Sequence, residues 1–347
     1  MINIDQSRLT AIALHHIGNK PGDEGIRFSA AELKPSERIK DILLTYFLSP
    51  FKSEEYFNLY HESDLKLNEV FSYVSDIFDN PACLYDQSVK LAKHLYEQSN
   101  HPKIRNGEFY TVYFTDCIVE GETMDVIGLF KSETRDTFLK VYPQDDGFAI
   151  ESEAGININK LDKGCLICNT GREEGYLVSV IDKANKGTDA QFWVDLFLHV
   201  RQRNDGYFNT RNAMSLCKDF VVKKFPGQFD VSKADQADLL HKSVRFFKEN
   251  DNFDLDEFAN EVIQEPEAIK SFRQHKNEFE QEHDLQVSDN FAISDSAVKK
   301  QSKMLKSVIK LDKNFHIYVH GDQHKIVKGL DPETGLNYYQ LFFREES

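Results

Sequence analysis

Two groups of basic side chains have residue types and spacing suited to binding phosphate. The first group lies in residues 296–330, where eight lysines accompany two acidic residues and give a local charge of +6 in a chain whose net charge is −15. The candidate contacts in it are Lys299, Lys300, Lys303, Lys306 and Lys310. If a helix continues through residue 310, four of them recur every three or four residues and share one face. Such a face predicts contact with a nucleic-acid backbone.

The second group lies in residues 199–224, which carry six Lys or Arg residues against two acidic residues. Its candidate phosphate contacts are Arg201, Arg203 and Arg211. Aromatic residues accompany them, and basic residues interleaved with aromatic rings are typical of nucleic-acid binding. The helical pattern around Phe220 and Phe225 instead predicts core residues. For both groups the competing interpretation is a solvated surface without a ligand, because charged runs usually face water.

Signatures of catalysis and metal binding are weak in this sequence. Cys165 and Cys168 form a C-x-x-C pair, but no second pair follows nearby, and in a strand the two thiols would point to opposite faces. The sequence has no glycine-rich phosphate loop and no nucleophile elbow. We therefore predict no catalytic residue, no metal site and no cofactor. A metal-dependent nuclease built from some of the many carboxylates is the less favoured alternative.

Histidines form two further sets. His316 and His320 would share one strand face, and with His324 across the turn they could bind a metal, although surface exposure is the simpler interpretation. The adjacent His15 and His16 point to opposite faces of a predicted strand. One of this pair is therefore expected to be buried and hydrogen-bonded.

Composition limits the class of protein. The chain has 347 residues with 40% hydrophobic and 12% aromatic content, which is enough for packed cores in about two or three domains. The net charge of −15 argues against a generic basic DNA-coating protein, so any phosphate contact must be local. Five cysteines, an odd and sparse set, fit a reducing compartment. With no long apolar run and no secretory pattern at the start, the sequence predicts a cytoplasmic protein without membrane contact.

Residues 1–187 are predicted to form a mixed α+β domain. Two strands at about 9–17 and 25–30 precede three helices, at about 36–49, 66–79 and 84–99. After Gly107 come segments rich in Phe, Tyr, Val, Ile and Thr, which predict strands at 108–119, 123–132, 136–142, 147–152, 164–169 and 175–182. The sequence Glu120-Gly121-Glu122 marks a hairpin between the first two of them. We expect an antiparallel meander of five or six strands with helices covering one face.

Residues 188–295 are predicted to be helical. Phe192, Trp193, Leu196, Phe197 and Val200 recur at helical spacing. Further helices are expected at 209–225, 231–249, 254–264 and 266–283, one of them opened by a capping box at 232–235. Residues 296–347 are predicted to be a small basic unit with strands at 307–311, 315–320, 324–329 and 336–343. The fold class is therefore α+β in three parts.

Several short strings resemble the bacterial nucleoid-associated protein family of NdpA, also called YejK. They are Ile-Ala-Leu-His at 12–15, Glu-Gly-Tyr-Leu at 174–177, Asp-Ala-Gln-Phe-Trp-Val-Asp-Leu-Phe at 189–197, Arg-Asn-Ala-Met at 211–214, Asp-Phe-Val at 219–221, and Val-Lys-Gly-Leu-Asp-Pro-Glu-Thr-Gly at 327–335. The resemblance extends over almost the whole chain and is strongest at 174–221. It implies a bacterial protein that is found with the nucleoid and binds DNA, with no established catalytic chemistry.

Three functional hypotheses follow. The first is non-sequence-specific contact with double-stranded DNA through the lysines of 296–330, assisted by the arginines of 199–224. The second is an acidic interaction module, with acids at 251–267, that a chromosome-associated protein partner recruits to the nucleoid. The third is the metal-dependent nuclease. A homodimer is also plausible, because pairing would protect exposed sheet edges.

Overall fold

The computed structural model describes residues 2–3, 6–182, 192–303, 305, 308–312, 314–318 and 326–345. The chain divides into two compact units, Met1–Arg203 and Asn204–Ser347. Both contain helices and antiparallel strands, so the predicted α+β class is confirmed. The three-part division with boundaries at 187 and 295 stays a prediction.

The first unit is built on a large antiparallel sheet. Its strands and an inserted hairpin are β1 (Ile2–Asn3), β2 (Arg8–Ile17), β3 (Ile26–Phe28), β4 (Tyr56–Leu59), β5 (Gly107–Val119), β6 (Glu122–Ser132), β7 (Asp136–Gln144), β8 (Gly147–Gly155), β9 (Lys163–Cys168), β10 (Leu177–Asp182) and β11 (Val200–Gln202). The spatial order in the sheet is β11-β4-β10-β9-β6-β5-β2-β3, and β1 pairs with β5. The predicted meander is thus present as β5-β6-β9-β10. The short strands β4 and β11, which extend it on one side, were not predicted.

Helices cover both faces of this sheet, so the expectation of one covered face is wrong. The helices are α1 (Glu37–Leu48), α2 (Glu69–Asp79) and α3 (Leu84–Gln98). Helices α2 and α3 pack on the face that carries Ile127 and Leu129. Helix α1 packs on the other face, where the Phe47 ring stacks on Phe130 with centroids 4.2 Å apart. Strands β6 and β9 are therefore buried on both sides, which explains their nearly continuous apolar sequence.

The segment Phe192–Leu198 is a π-helix, and this changes which side chains it buries. The predicted face grouped Leu196 with Phe192, Trp193 and Phe197 at α-helical spacing. In the structure Phe192, Trp193, Phe197 and Leu198 are buried, whereas Leu196 is 54% exposed. A π-helix bonds residues five apart, so residues 192 and 197 align and residue 196 turns outward.

Strands β7 and β8 form a separate two-stranded hairpin and do not join the meander, contrary to the prediction. Their register pairs Val141 with Ile150 and Pro143 with Phe148. The hairpin is inserted between β6 and β9, which are themselves neighbours in the sheet. Because β6 already pairs with β5 on its other side, its edges are filled and the inserted strands have no place in the sheet.

The second unit has a helical core rich in phenylalanine. Its helices are α4 (Gly206–Asp219), α5 (Phe225–Gln228), α6 (Lys233–Glu249), α7 (Leu255–Phe258), α8 (Pro266–Glu282) and α9 (Asp295–Gln301). The predicted capping box is confirmed: the Ser232 hydroxyl accepts from the Asp235 N–H, and the Asp235 carboxylate accepts from the Ser232 N–H. Phe220, Phe258 and Phe272 are buried together at the centre, as expected for Phe220.

Six short strands lie in the described part of the second unit. They are β12 (Asn252–Asp254), β13 (Asn290–Ala292), β14 (Val308–Leu311), β15 (Phe315–Tyr318), β16 (Ile326–Leu330) and β17 (Asn337–Leu341). Strand β12 pairs with β13, β14 with β15, and β16 with β17, all antiparallel. The predicted C-terminal antiparallel strands are therefore confirmed. Over the described residues of both units, every helix is too short or too polar to cross a membrane.

Candidate nucleic-acid interface

Helices α4 and α9 pack against each other in the second unit. The Ser294 N–H, at the start of α9, donates to Thr210 Oγ1 of α4 at 3.0 Å. Val298 of α9 is buried in the same core as Ala213 and Cys217 of α4. This packing brings parts of the two basic sequence groups, which are far apart along the chain, to one surface.

A groove of about 800 Å³ lies beside these helices. Its lining contains Arg211, Asn212, Ser215, Lys218, Asp219, Val222, Lys223, Phe279, His283, Leu285, Lys300, Gln301 and Leu305. Phe279 and Leu305 are buried, whereas Lys218, Lys223 and Lys300 are exposed. We call it the basic groove, because four Lys or Arg side chains and one carboxylate line it.

The carboxylate of Asp219 offsets one of these cations. Its Oδ1 lies 2.5 Å from Lys223 Nζ, four residues further along the helix. This hydrogen bond and the negative charge of Asp219 hold the pKa of Lys223 above its ordinary value. The four Lys or Arg side chains and this one carboxylate give the lining a formal charge of +3.

Lys300 is positioned by Tyr207, a buried residue in the first turn of α4. Its Nζ donates to the Tyr207 hydroxyl at 3.0 Å and lies 5.7 Å from the centroid of the ring. An ammonium near the aromatic face gains a further attraction, which restrains the otherwise flexible side chain. Lys300 therefore presents its charge at a defined place in the basic groove.

The groove also contains a buried amide without a partner. Asn212 is 5% exposed, and its Nδ2 finds no acceptor among the described residues. A buried donor left unsatisfied costs about 1–3 kcal/mol, so such groups are rare and a bound ion or water is one explanation for them. An anion in the groove would supply the missing acceptor.

The lysines predicted in residues 296–330 do not form one continuous helical face. Lys299 and Lys300 lie on α9, which ends at Gln301, and Lys303 follows this end as an exposed turn residue. Lys310 lies on β14, and Lys306 is outside the described residues. The row at helical spacing is broken because the chain leaves the helix after Gln301 and continues in strands.

The predicted arginines lie in both units. Arg211 is on α4 and lines the basic groove of the second unit. Arg201 is on β11 of the first unit, with its guanidinium 4.1 Å from the centroid of Tyr60, a stacking contact that holds it at the surface. Arg203 follows β11, is exposed, and donates its backbone N–H to Tyr56 O at 2.9 Å.

Asn212, Lys218 and Lys223 were not predicted as site residues, although both lysines lie within the second basic group. A usable signal was present: Arg211, Ser215, Lys218 and Val222 are spaced by four, three and four residues. Such spacing places them on one face of a helix. The end of α8 also lines the basic groove, but no local sequence pattern predicts that it does so.

The two thiols of the cysteine pair point to opposite faces of the sheet, as the strand spacing predicted. Cys165 belongs to the core on the α2–α3 face of the sheet, and Cys168 to the core on the α1 face. Burial raises the pKa of both thiols far above the ordinary value. Within the described ranges, no three or more His, Cys, Asp or Glu residues are grouped as metal ligands would be. His316 is exposed on β15, and His320 and His324 are outside those ranges.

The prediction for the histidine pair is confirmed. His15 is buried, and its Nε2 lies 2.8 Å from Ser88 Oγ, while its Nδ1 accepts from the Ser29 N–H at 3.4 Å. Burial lowers the pKa of His15 to about 4, so the ring is neutral at physiological pH. The Ser88 hydroxyl in turn donates to Tyr85 O at 2.6 Å. The contact between His15 and Ser88 holds the strand to α3.

Comparison with curated proteins gives no match for this chain. A protein-family model does match, and it is described as nucleoid-associated protein YejK. The match extends over residues 13–335 and therefore takes in both compact units, including the basic groove. The chain belongs to the YejK family of nucleoid-associated proteins.

Proposed function

We propose that this nucleoid-associated protein contacts double-stranded DNA directly, through phosphate groups bound in the basic groove. The observation that carries the proposal is the convergence of Arg211 and Lys218 of α4 with Lys300 of α9 around one groove, with a formal charge of +3. Ammonium and guanidinium groups are the usual phosphate contacts of DNA-binding proteins. The unpaired amide of Asn212 adds a neutral donor for a phosphate oxygen.

Binding without sequence preference follows from these residue types. Phosphate contacts fix the position of a protein on the duplex but carry no sequence information. Reading of bases requires side chains inserted into a DNA groove, usually from a helix or a two-stranded ribbon. The lysines and arginine proposed here line a recess between packed helices, which suits a backbone contact.

The acidic character of the whole chain is compatible with such a contact. At physiological salt the electrostatic screening length is about 8 Å, so the phosphates respond mainly to charges close to them. The net charge of −15 is spread over the chain, whereas the groove has a local excess of cations. Long-range repulsion slows the encounter at low salt and matters less as salt screens it.

The remaining predicted cations extend the proposed surface. Lys299 and Lys303 neighbour Lys300 in sequence, and Lys306 and Lys310 follow. Arg201 and Arg203 of the first unit are proposed to assist this contact. We propose a role at the nucleoid in the bacterial cytoplasm that needs no catalytic step and no cofactor.

A gel-shift series at two salt concentrations tests the proposal. The double variant Lys218→Gln with Lys300→Gln removes two of the four cations that line the basic groove. Each phosphate contact contributes about −0.9 to the slope of log affinity against log salt, so the loss of two contacts should make the slope shallower by about 1.8. Between about 50 and about 200 mM salt, the wild type should therefore lose roughly 12-fold more affinity than the variant.

The matched control is Lys248→Gln with Lys270→Gln, which changes the charge equally at two exposed positions outside the groove. It should keep the wild-type slope. We expect the groove variant to bind all DNA sequences more weakly and to a similar extent, because the groove does not contact the bases. If the wild type does not bind at low salt, direct contact is refuted and recruitment through a protein partner replaces it. If both double variants behave alike, the groove is not the site.

Asn212→Leu tests the neutral donor separately from charge. The substitution replaces the amide by two methyl groups on the same branched framework and leaves the charge unchanged, so the salt slope should stay at the wild-type value while the affinity falls at every salt concentration. Circular dichroism at the assay temperature checks that the variant is folded. An unchanged affinity would show that the amide does not meet the phosphate.

A further inference from the structure

The basic groove has a side that phosphate contacts leave unused. Five of its lining residues are aliphatic or aromatic: Val222, Phe279, His283, Leu285 and Leu305. Contact with a phosphate needs only cations and hydrogen-bond donors. The groove therefore suits a ligand that is anionic at one end and apolar at the other.

His283 presents a restrained aromatic ring in this groove. It follows the last residue of α8, and its ring stacks on Phe279 with centroids 4.2 Å apart and planes inclined by 29°. Its Nδ1 donates to Phe279 O at 2.9 Å, since a carbonyl oxygen can only accept. These two contacts hold the ring in one orientation, while the residue as a whole is exposed. A flat and restrained ring at the surface is a platform on which a nucleobase can stack.

The size of the groove selects a small ligand. Its volume of about 800 Å³ lies within the usual range of small-molecule sites, about 300–1,000 Å³. A duplex, whose major groove alone is about 12 Å wide, can touch the rim of such a recess but cannot enter it. The bases of a duplex are also stacked on one another and do not reach a ring inside a protein recess. The interior is therefore suited to a nucleotide that is not base-paired.

We propose that the basic groove binds a free nucleoside polyphosphate, with its base on the His283 ring and its phosphates on the cations of the groove. Those cations are Arg211, Lys218 and Lys300, and the buried amide of Asn212 adds a donor for an oxygen of the ligand. Nucleotide binding as such does not require that the protein binds DNA. Its consequence does rest on the proposed function: the nucleotide and a DNA phosphate need the same cations, so the nucleotide displaces DNA by mass action.

Charge favours a free polyphosphate over a single strand. The lining has a formal charge of +3. A nucleotide within a strand brings one negative charge, whereas a nucleoside diphosphate or triphosphate brings about three or four at pH 7. The free nucleotide therefore matches the charge of the lining, and its base covers the apolar side. An inorganic polyphosphate would match the charge but leave that side in water.

Isothermal titration calorimetry with ATP and with inorganic tripolyphosphate, both without divalent metal, separates the two parts of the site. The wild type should bind ATP about 10-fold more tightly, because only ATP has a base to stack. His283→Ala should remove this preference and leave tripolyphosphate binding unchanged, whereas His283→Phe keeps a ring and should restore it. The control His316→Ala replaces an exposed histidine of the second unit outside the groove, and it should bind both ligands like the wild type.

Two further measurements identify the anionic end and the source of the base. Lys218→Gln with Lys300→Gln should weaken the binding of ATP and of tripolyphosphate alike, by about 10-fold or more. Single-stranded oligoadenylate should bind no more tightly than ATP. Tighter binding of the oligomer, with the same dependence on His283, would show that the groove takes a strand and would overturn the proposal. The proposal also fails if ATP does not bind, or if ATP and tripolyphosphate bind equally.

Gel shifts with duplex DNA on the same variants keep this proposal apart from the proposed function. If the wild type binds ATP but no duplex, the proposed function fails and the nucleotide site stands. If it binds duplex but no ATP, the nucleotide site alone fails. Where both bind, ATP should release DNA, and His283→Ala should need about 10-fold more ATP for the same release. DNA that stays bound at saturating ATP would refute the sharing of cations.

Discussion

Two glycines with similar backbone angles but different surroundings allow a quantitative test of the first unit. Gly175, in the turn before β10, has φ +96°, and a Cβ added to it would lie 2.0 Å from Leu59 O and 2.9 Å from Leu59 C. Gly121, in the turn between β5 and β6, has φ +89°, and a Cβ there would meet nothing within 4 Å. Alanine therefore has a similar φ at the two positions, but only at Gly175 does its Cβ clash with the backbone of β4.

The expected magnitudes follow from these distances. Alanine in the left-handed region costs about 1–2 kcal/mol, which is the whole effect expected for Gly121→Ala. Gly175→Ala has a second cost, because the new Cβ would push the Leu59 backbone away and no change of side-chain rotamer can relieve that clash. We expect this displacement to cost about 1–3 kcal/mol more. It also strains the hydrogen bond from the Leu59 N–H to Gly175 O, which is 2.8 Å long. That bond is worth about 0.5–1.5 kcal/mol, so the total for Gly175→Ala is roughly 3–6 kcal/mol.

Tryptophan fluorescence during urea unfolding measures this difference. The chain has a single tryptophan, Trp193, which is fully buried in the core of the first unit, so its emission reports on that unit. The two units need not unfold together, and a probe confined to one keeps the analysis simple. Equal losses of stability for Gly121→Ala and Gly175→Ala would refute the close approach of Gly175 to β4, and with it the position of β4 in the sheet.

The same fluorescence assay tests two further expectations. Lys163 is fully buried with its Nζ 2.8 Å from Asp182 Oδ1, so Lys163→Met should destabilise the first unit by about 3–5 kcal/mol. The exposed pair of Lys160 with Asp136 is the control, and Lys160→Met should cost about 0–1 kcal/mol; equal losses would contradict the difference in burial. Burial lowers the pKa of His15 from 6.5 to about 4. At a pH between these two values, His15 is protonated in the unfolded chain but neutral in the folded protein, so the free energy of unfolding falls as the pH falls. His15→Gln should make the urea midpoint less dependent on pH over that range, and an unchanged dependence would exclude His15 as its source.

Local features of this protein could be predicted from sequence because their causes are local. The turn at Glu120-Gly121 joins β5 and β6, where Glu120 and Gly121 both have positive φ. The capping box at Ser232 and Asp235 opens α6. Side chains alternate between the two faces of a strand, so Cys165 and Cys168, three residues apart, lie in different cores. Each of these outcomes depends on residues a few positions apart, whose side chains and backbone determine it directly.

Pairing between distant segments could not be predicted in this way. The four residues of β4 lack a clear alternation, and they become a strand because β10 and β11 offer hydrogen bonds on both sides. The inserted hairpin has strand composition like its neighbours, and only the filled edges of β6 exclude it from the sheet. The energy that selects these partners comes from the whole sheet and is absent from any one segment.

The sequence by itself determined that this chain is an acidic α+β protein with two concentrations of basic residues and a resemblance to nucleoid-associated proteins. It could not determine which of those cations lie together. Only the packing of α9 on α4 places Lys300 beside Arg211 and Lys218, and only the end of α9 at Gln301 breaks the predicted lysine row. The reason is physical: charge composition is a property of the chain, whereas a local field depends on distances that are fixed by the burial of apolar side chains such as Val298 and Ala213.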